Sequence, residues 1–172
     1  MKIMVKVEAI ATNSLLTEIL KTDSDWMDAA IQSAEIAFSN GEVPVGAVIV
    51  KDDKIIGRGS NQTHNLNDST AHAEIIAITA ASSSLNDWRL NGASIYVTKE
   101  PCAMCAGAII NARLSKLIFG AYDDKKGCCG SLYQLCGDYQ LDSRTAVRGG
   151  VREENCQSLL KAFFSRKRKP SS

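Results

Sequence analysis

Cys102 and Cys105, within Glu100-Pro101-Cys102-Ala103-Met104-Cys105, stand three residues apart, a spacing that puts two thiols on one face of a helix. Pro101 suits the first position of that helix, which predicts both cysteines in its first turn. There the helix dipole and the unpaired N–H groups favour negative sulfur. His72, within Thr70-Ala71-His72-Ala73-Glu74, adds an imidazole. Two thiolates and one imidazole form a donor set for Zn2+, one per chain, and leave the fourth tetrahedral position to water. Glu74 lies two residues beyond the histidine, which is not a same-face helical spacing, so it is expected to reach that water as a proton shuttle and not to join the ligands. Two thiolates weaken zinc as an acid relative to three neutral histidines, and a nearby carboxylate compensates. Taken alone, Cys-x-x-Cys also fits a redox dithiol or half of a structural zinc knuckle.

These residues must be held by a framework, and the apolar pattern outlines one. Ser24 reads as an N-cap with Asp25 and Asp28 in a first turn, and Met27, Ala30, Ile31, Ala34 and Phe38 repeat at helical spacing until Asn40-Gly41. Val45 to Val50 is a nearly continuous apolar run, as in a strand buried on both faces. Asp52-Asp53 turns the chain into a second strand through Ile55, Ile56 and the glycines at 57 and 59, followed by a polar loop from Asn61 to Ser69. A helix over Ala71–Ala81 carries His72 and Glu74 in its first turn. A strand over Ala93–Val97 runs into the cysteine helix, which continues to about Ala112, and Leu117–Ala121 forms a fourth strand. A short strand near Thr145–Arg148 and a helix apolar at Cys156, Leu159, Leu160 and Phe163 end the pattern. An antiparallel hairpin followed by strand-helix-strand gives an α/β fold, with a mixed five-stranded sheet between helices on both faces in three α-β-α layers.

At 172 residues and 45% hydrophobic content the chain suits one domain, expected over residues 23–172, after an extension over residues 1–22 to which the sequence assigns no role. The formal net charge of +1 is unevenly spread. Five of the 20 basic residues, Lys161, Arg166, Lys167, Arg168 and Lys169, follow the last acid, leaving 15 against 19 acidic residues elsewhere. That asymmetry suggests one localised anionic partner. The six cysteines lack secretory spacing, and Lys6 and Glu8 break the first apolar run before it makes a signal core. No stretch reaches membrane-spanning length. A cytoplasmic protein without a membrane partner is expected.

His-x-Glu followed by Pro-Cys-x-x-Cys is the zinc-deaminase signature. From about Trp26 to Arg168 the chain resembles the bacterial tRNA-specific adenosine deaminases of the cytidine-deaminase-like zinc fold. The likeness extends to Glu42-Val43-Pro44-Val45-Gly46-Ala47-Val48, Cys102-Ala103-Met104-Cys105-Ala106-Gly107-Ala108, Phe119-Gly120-Ala121, Gly130-Ser131-Leu132 and Phe163-Phe164 with its basic tail. It implies His72, Cys102 and Cys105 as zinc ligands, Glu74 as the catalytic acid/base, and adenosine-to-inosine conversion at the wobble position of a tRNA anticodon stem-loop. It further implies that Asn61 holds the purine, that the Ala73 backbone contacts the base, and that the segment from Asp123 to Leu132 and the basic last helix meet RNA. Asp123, Phe164, Arg166 and Arg168 are therefore candidate substrate contacts. Helical spacing puts Phe163 toward the core and leaves Phe164 free to stack. A homodimer is implied too, with small and apolar residues from Ala106 to Ile110 available for close helix packing.

Some positions depart from this family's pattern. Ser69 replaces a common proline, Lys99 stands at a usually apolar site, Tyr122 replaces a frequent arginine, and Cys128-Cys129 replaces small residues. The adjacent cysteines read as packing residues, and His64 as a loop residue. Two other readings stay open: deamination of a free base such as guanine or cytosine, which shares the zinc motifs, and an RNA-binding module with a structural zinc.

Overall fold

Residues 21–167 are described by the computed structural model; the N-terminal extension up to residue 20, and Arg168 with the rest of the tail, lie outside the described residues. Helix α1 spans Asp23–Ser39. Thr22, not Ser24, caps it: the Thr22 hydroxyl accepts from the Asp25 N–H at 3.4 Å, and the Asp25 carboxylate accepts from the Thr22 N–H at 2.7 Å. This reciprocal box satisfies two N–H groups at once, which a Ser24 cap does not.

Strands β1 (Gly46–Lys51) and β2 (Lys54–Ser60) pair antiparallel across Asp52-Asp53, both in the left-handed region with φ of 49° and 55°. Two left-handed central residues match the twist of a two-residue hairpin. Between Ile49↔Gly57 and Val50↔Ile55 the register shifts, which leaves Ile56 as the extra residue of a bulge. Helix α2 covers Ala73–Leu85, β3 covers Ser94–Lys99, α3 covers Ala103–Asn111 and β4 covers Lys116–Ala121. A short β5 (Ala146–Arg148) precedes α4 (Glu153–Lys167). The sheet order is β2-β1-β3-β4-β5, with β1 antiparallel to both neighbours and β3, β4 and β5 parallel. This is the mixed five-stranded, three-layer α/β arrangement expected from the sequence.

Alternation along the strands sorts the layers. Ala47, Ile49, Ile95, Val97, Leu117 and Phe119 point to the side packed by α2 and α3, and join Ala77, Ala81, Ala106 and Ile109 in one core cluster. Val48, Val50, Tyr96 and Ile118 point oppositely, to Trp26, Met27 and Ala30 of α1 and Cys156 of α4. Cys128 and Cys129 are buried in the first cluster, as packing residues are. Among the described residues no helix is long and apolar enough to cross a membrane.

The backbone at β2 is cut to admit α2. A Cβ on Gly59 would lie 2.1 Å from the Ala73 carbonyl oxygen and 2.6 Å from the Ala77 nitrogen. Glycine therefore lets the first turn of α2, with His72 and Glu74, sit directly on the strand. Gly46 does the same for α1 beneath β1, where a Cβ would meet the Ala30 oxygen at 2.2 Å.

Candidate metal centre and active site

Two helix N-termini converge at the end of the sheet where β3 leaves and β1 begins. His72 is the N-cap of α2 and Cys102 the N-cap of α3, both with extended backbone. Pro101 thus precedes the cap, two positions before the first helical residue it is expected to be, while Cys105 occupies the first turn as expected. The cause is the Cys102 carbonyl, which accepts the first helical bond from the Ala106 N–H at 2.8 Å, so the helix opens at Ala103, two residues after Pro101. His72 Nδ1 lies 3.4 Å from Cys105 Sγ and 3.8 Å from Cys102 Sγ. The ligand atoms of His72, Cys102 and Cys105 all lie within 4.8 Å of one another.

Electrostatics inside this cluster ask for a cation. Cys105, then His72, hold the Cys102 thiol down at about 3 against a burial that works to raise it. The interaction with Cys102, burial and the nearby Glu74 together push the Cys105 thiol well above its usual range. His72 is raised by its bond to Cys102, although burial opposes this. Desolvation raises the buried Glu74 carboxyl. Negative charge on one thiol thus suppresses charge on the other, and a divalent cation between them relieves both. Soft sulfur with imidazole is the donor chemistry that zinc takes, so the residues fit the metal read from the sequence.

Over the cluster opens a cavity of about 510 Å³, within the size range of small-ligand sites. It brings together Asn61, His72, Glu74, Cys102, Asp123 and Phe164, which are widely separated in the chain. Cys105 is fully buried beneath. Ala73 is buried in the first turn of α2. Phe163 is buried and Phe164 exposed, as helical spacing predicts, and Phe164 lines the cavity mouth. Arg166, two residues on and so on another face of α4, has its guanidinium 5.4 Å from the centre of the Phe38 ring and does not line the cavity. His64 lines the rim from an exposed loop position. Tyr122, also exposed, packs its ring edge-on to Phe119 at 4.9 Å.

Two buried glutamates hold the flanking loops, and the sequence reading assigned neither a role. Glu42, fully buried, accepts from the Asn61 amide at 3.1 Å and from the backbone N–H groups of His64 and Asn65 at 2.8 Å each. Asn61 is thereby fixed in rotation, and its Oδ1 accepts from the Thr63 hydroxyl at 3.2 Å. Glu100 accepts from the N–H groups of Asp123 (3.0 Å), Cys129 (3.0 Å) and Ser131 (2.9 Å) and from the Ser131 hydroxyl. Burial works to raise the Glu100 carboxyl, but these donors outweigh it and hold it below its ordinary value. No local pattern marks either, since Glu42 follows Ser39-Asn40-Gly41 and Glu100 follows Lys99. Lys99 forms an ion pair with Asp123 at the cavity wall.

The comparisons agree with this geometry. The family model of the MafB19-like deaminases matches residues 21–168. A tRNA-specific adenosine deaminase of Bacillus subtilis is 45% identical over 147 residues, covering 86% of this chain and 91% of its own. A solved structure from a study of A-to-I editing by tRNA:A34 deaminases is 41% identical with a TM-score of 0.75, covering 78% of this chain and 98% of its own. The guanine deaminase of B. subtilis is 38% identical at a TM-score of 0.57, over 59% of this chain and 66% of its own. With the family match and relatives of this identity spanning most of its length, the chain belongs to the MafB19-like deaminases, among the bacterial tRNA-specific adenosine deaminases.

Proposed function

We propose that the protein catalyses zinc-dependent hydrolytic deamination of adenosine to inosine at the wobble position of a tRNA anticodon loop, in the cytoplasm and as a homodimer. The observation that carries this reading is a three-donor metal cluster with Glu74 beside it, at the floor of a cavity whose mouth holds lysines and an exposed aromatic ring. Three donors suit a metal that keeps a position for water, whereas a structural zinc takes four; among the described residues the metal-capable group consists of His72, Cys102 and Cys105. Zinc held by these residues supplies the Lewis acidity that makes a water nucleophilic near neutral pH.

The chain's own groups do the rest. Glu74 takes the proton released as water adds to C6 of the adenine and passes it to N1, then moves the proton of the new C6 hydroxyl to the amino group, which leaves as ammonia as the C–N bond breaks. Adenosine and water thus become inosine, still held in the RNA, and ammonia, with no redox partner needed. Burial suits Glu74 to this task, since a carboxyl raised toward neutrality both accepts and returns a proton readily. Asn61 uses one amide hydrogen on Glu42 and accepts from Thr63, which leaves an N–H and a lone pair to read a base edge. Ala73, whose backbone is read as a base contact, opens the helix that His72 caps. A loop nucleotide enters without melting a duplex and stacks on Phe164, while Arg166 and Arg168 extend the basic surface toward phosphates.

In the homodimer, Gly107 and Ala108 on the open side of α3 form the contact, because a Cβ on Gly107 would meet nothing within 4 Å whereas Ala106 and Ile109 are spent in the protein's own core. A monomeric mass by light scattering with full activity would reject that part. The likeness to a guanine deaminase keeps one second reading, turnover of a free purine. The two separate in a single assay of ammonia release from an anticodon stem-loop, guanine, cytosine and free adenosine. Release from the stem-loop above all others is expected; release from guanine or cytosine without the stem-loop selects the alternative.

A further inference from the structure

Tyr122 is an exposed ring that the chemistry above leaves without a task. It follows the last residue of β4 and immediately precedes Asp123, where the chain turns to line the cavity. Its ring meets Phe119 with 4.9 Å between centroids and 85° between planes. Glycines shape the rest of its seat. A Cβ on Gly149 would lie 2.6 Å from the Tyr122 hydroxyl oxygen and 2.5 Å from the Phe119 ring, and a Cβ on Gly130 or Gly150 would lie 3.8 Å from a Tyr122 ring carbon. Both walls of this slot are tied down. Gly130 stands between Cys129 and Ser131, whose N–H groups donate to Glu100, and the Gly150 N–H donates to the Gly120 oxygen of β4 at 3.2 Å. The ring nevertheless stays 47% exposed. A side chain held on several sides yet left open loses little conformational freedom when a flat group lies on it.

We propose that Tyr122 is a stacking residue for the RNA substrate: its open side takes the base of a loop nucleotide next to the one that enters the cavity. This rests on the reading of an RNA substrate given above. The turn after Tyr122 carries Lys125 and Lys126, both exposed and both lining the cavity, while the Asp123 carboxylate is paired with Lys99. An aromatic ring beside cations is the combination that holds a single strand, with the ring for a base and the cations for phosphates. A base drawn into the cavity also leaves its neighbour without a stacking partner. Tyr122 stands outside the cavity but next to its wall, where a ring can replace that partner.

Kinetics on an anticodon stem-loop test this, with the zinc-loaded parent, Tyr122→Ala, Tyr122→Leu and Tyr122→Phe, and with stem-loops in which each loop nucleotide other than the target is made abasic in turn. Stacking made equally before and during the reaction shows in KM, so Tyr122→Ala is expected to raise KM about tenfold with kcat unchanged. Tyr122→Leu, which still fills the slot against Phe119, should lose about as much, and Tyr122→Phe should stay within about twofold of the parent. One abasic position next to the target should raise the parent's KM about tenfold and that of Tyr122→Ala by no more than about twofold. The salt slope should be the same in every protein, because no charge is removed. Zinc content and the denaturant midpoint check that each variant has folded. The parent's KM in Tyr122→Ala overturns the proposal, and so does the parent's KM in Tyr122→Leu, which would make packing the whole use of the ring. Abasic positions that each cost the parent and Tyr122→Ala alike also overturn it, as does a lower mass of Tyr122→Ala by light scattering, which would put the ring in a subunit contact. A parent enzyme that ignores the stem-loop but deaminates a free base would instead overturn the RNA reading.

Discussion

Glu74 and Glu100 are both buried acids near the metal cluster, and their surroundings give them opposite tasks. Glu74 is raised by desolvation, so it can exchange a proton; Glu100 is held down by four donors, so it stays ionised as a structural anchor. Replacing Glu74 with Gln should lower kcat by about 10²–10⁴-fold while zinc stoichiometry stays at one per chain. Normal turnover in that variant would remove Glu74 from the mechanism. For Glu100, a folded-state pKa below the ordinary 4.5 means that its stabilisation is complete above that value and drains as the pH falls through the lowered one. Glu100→Gln should cost about 1–3 kcal/mol at neutral pH, read from the denaturant midpoint, and the difference from the parent should shrink in acid. His72, Cys102 and Cys105 were legible as a metal donor group from their types and spacing, and the His-x-Glu and Pro-Cys-x-x-Cys signature, not coordination chemistry alone, singled out the catalytic reading and Glu74. Glu42 and Glu100 were not, because their role depends on which distant N–H groups fold against them.

Elements place those residues through close backbone approach. Gly59 lets the Ala73 carbonyl come within 2.1 Å of where a Cβ would be, so Gly59→Ala must push the first turn of α2 off the sheet. About 1–3 kcal/mol of stability should be lost, and His72 should shift away from the two cysteines. Zinc retention during competition with a chelator checks this: faster loss from Gly59→Ala than from the parent is expected, and equal retention would show that the strand yields instead. The strands and helices followed from apolar periodicity, as Val45 to Val50 shows. Cap positions did not, since Thr22 as cap in place of Ser24, and Cys102 as cap where the first turn was expected, depend on which carbonyl and side chain close the first turn. The antiparallel pairing of β1 with β3 was also invisible, because local pattern carries no information on which non-consecutive strand becomes the neighbour.

At the scale of the whole molecule, the cavity joins parts that are far apart in the chain: the Glu42-held loop, the Glu100-held turn and α4 at Phe164, and the proposed recognition of substrate rests on all three. Removing residues 165–172 takes away Arg166, Lys167, Arg168 and Lys169 and leaves the metal cluster untouched. Zinc content should be retained, stem-loop affinity should fall strongly, and the salt slope should flatten by several counterions. An unchanged slope would move the contact to the lysines at 125 and 126. The tail's charge was plain in the sequence, but the place of Phe164 at the cavity mouth emerged only once α4 packed across α1. The central claim, that a single anticodon nucleotide enters the cavity, is tested most directly by nucleoside mapping. Synthetic stem-loops carrying one adenosine at the first, second or third anticodon position, or paired in the stem, are incubated with the zinc-loaded protein and analysed for inosine. Conversion confined to the first anticodon position is the predicted result; inosine at the stem position, equal conversion at all loop positions, or none at any of them would contradict it.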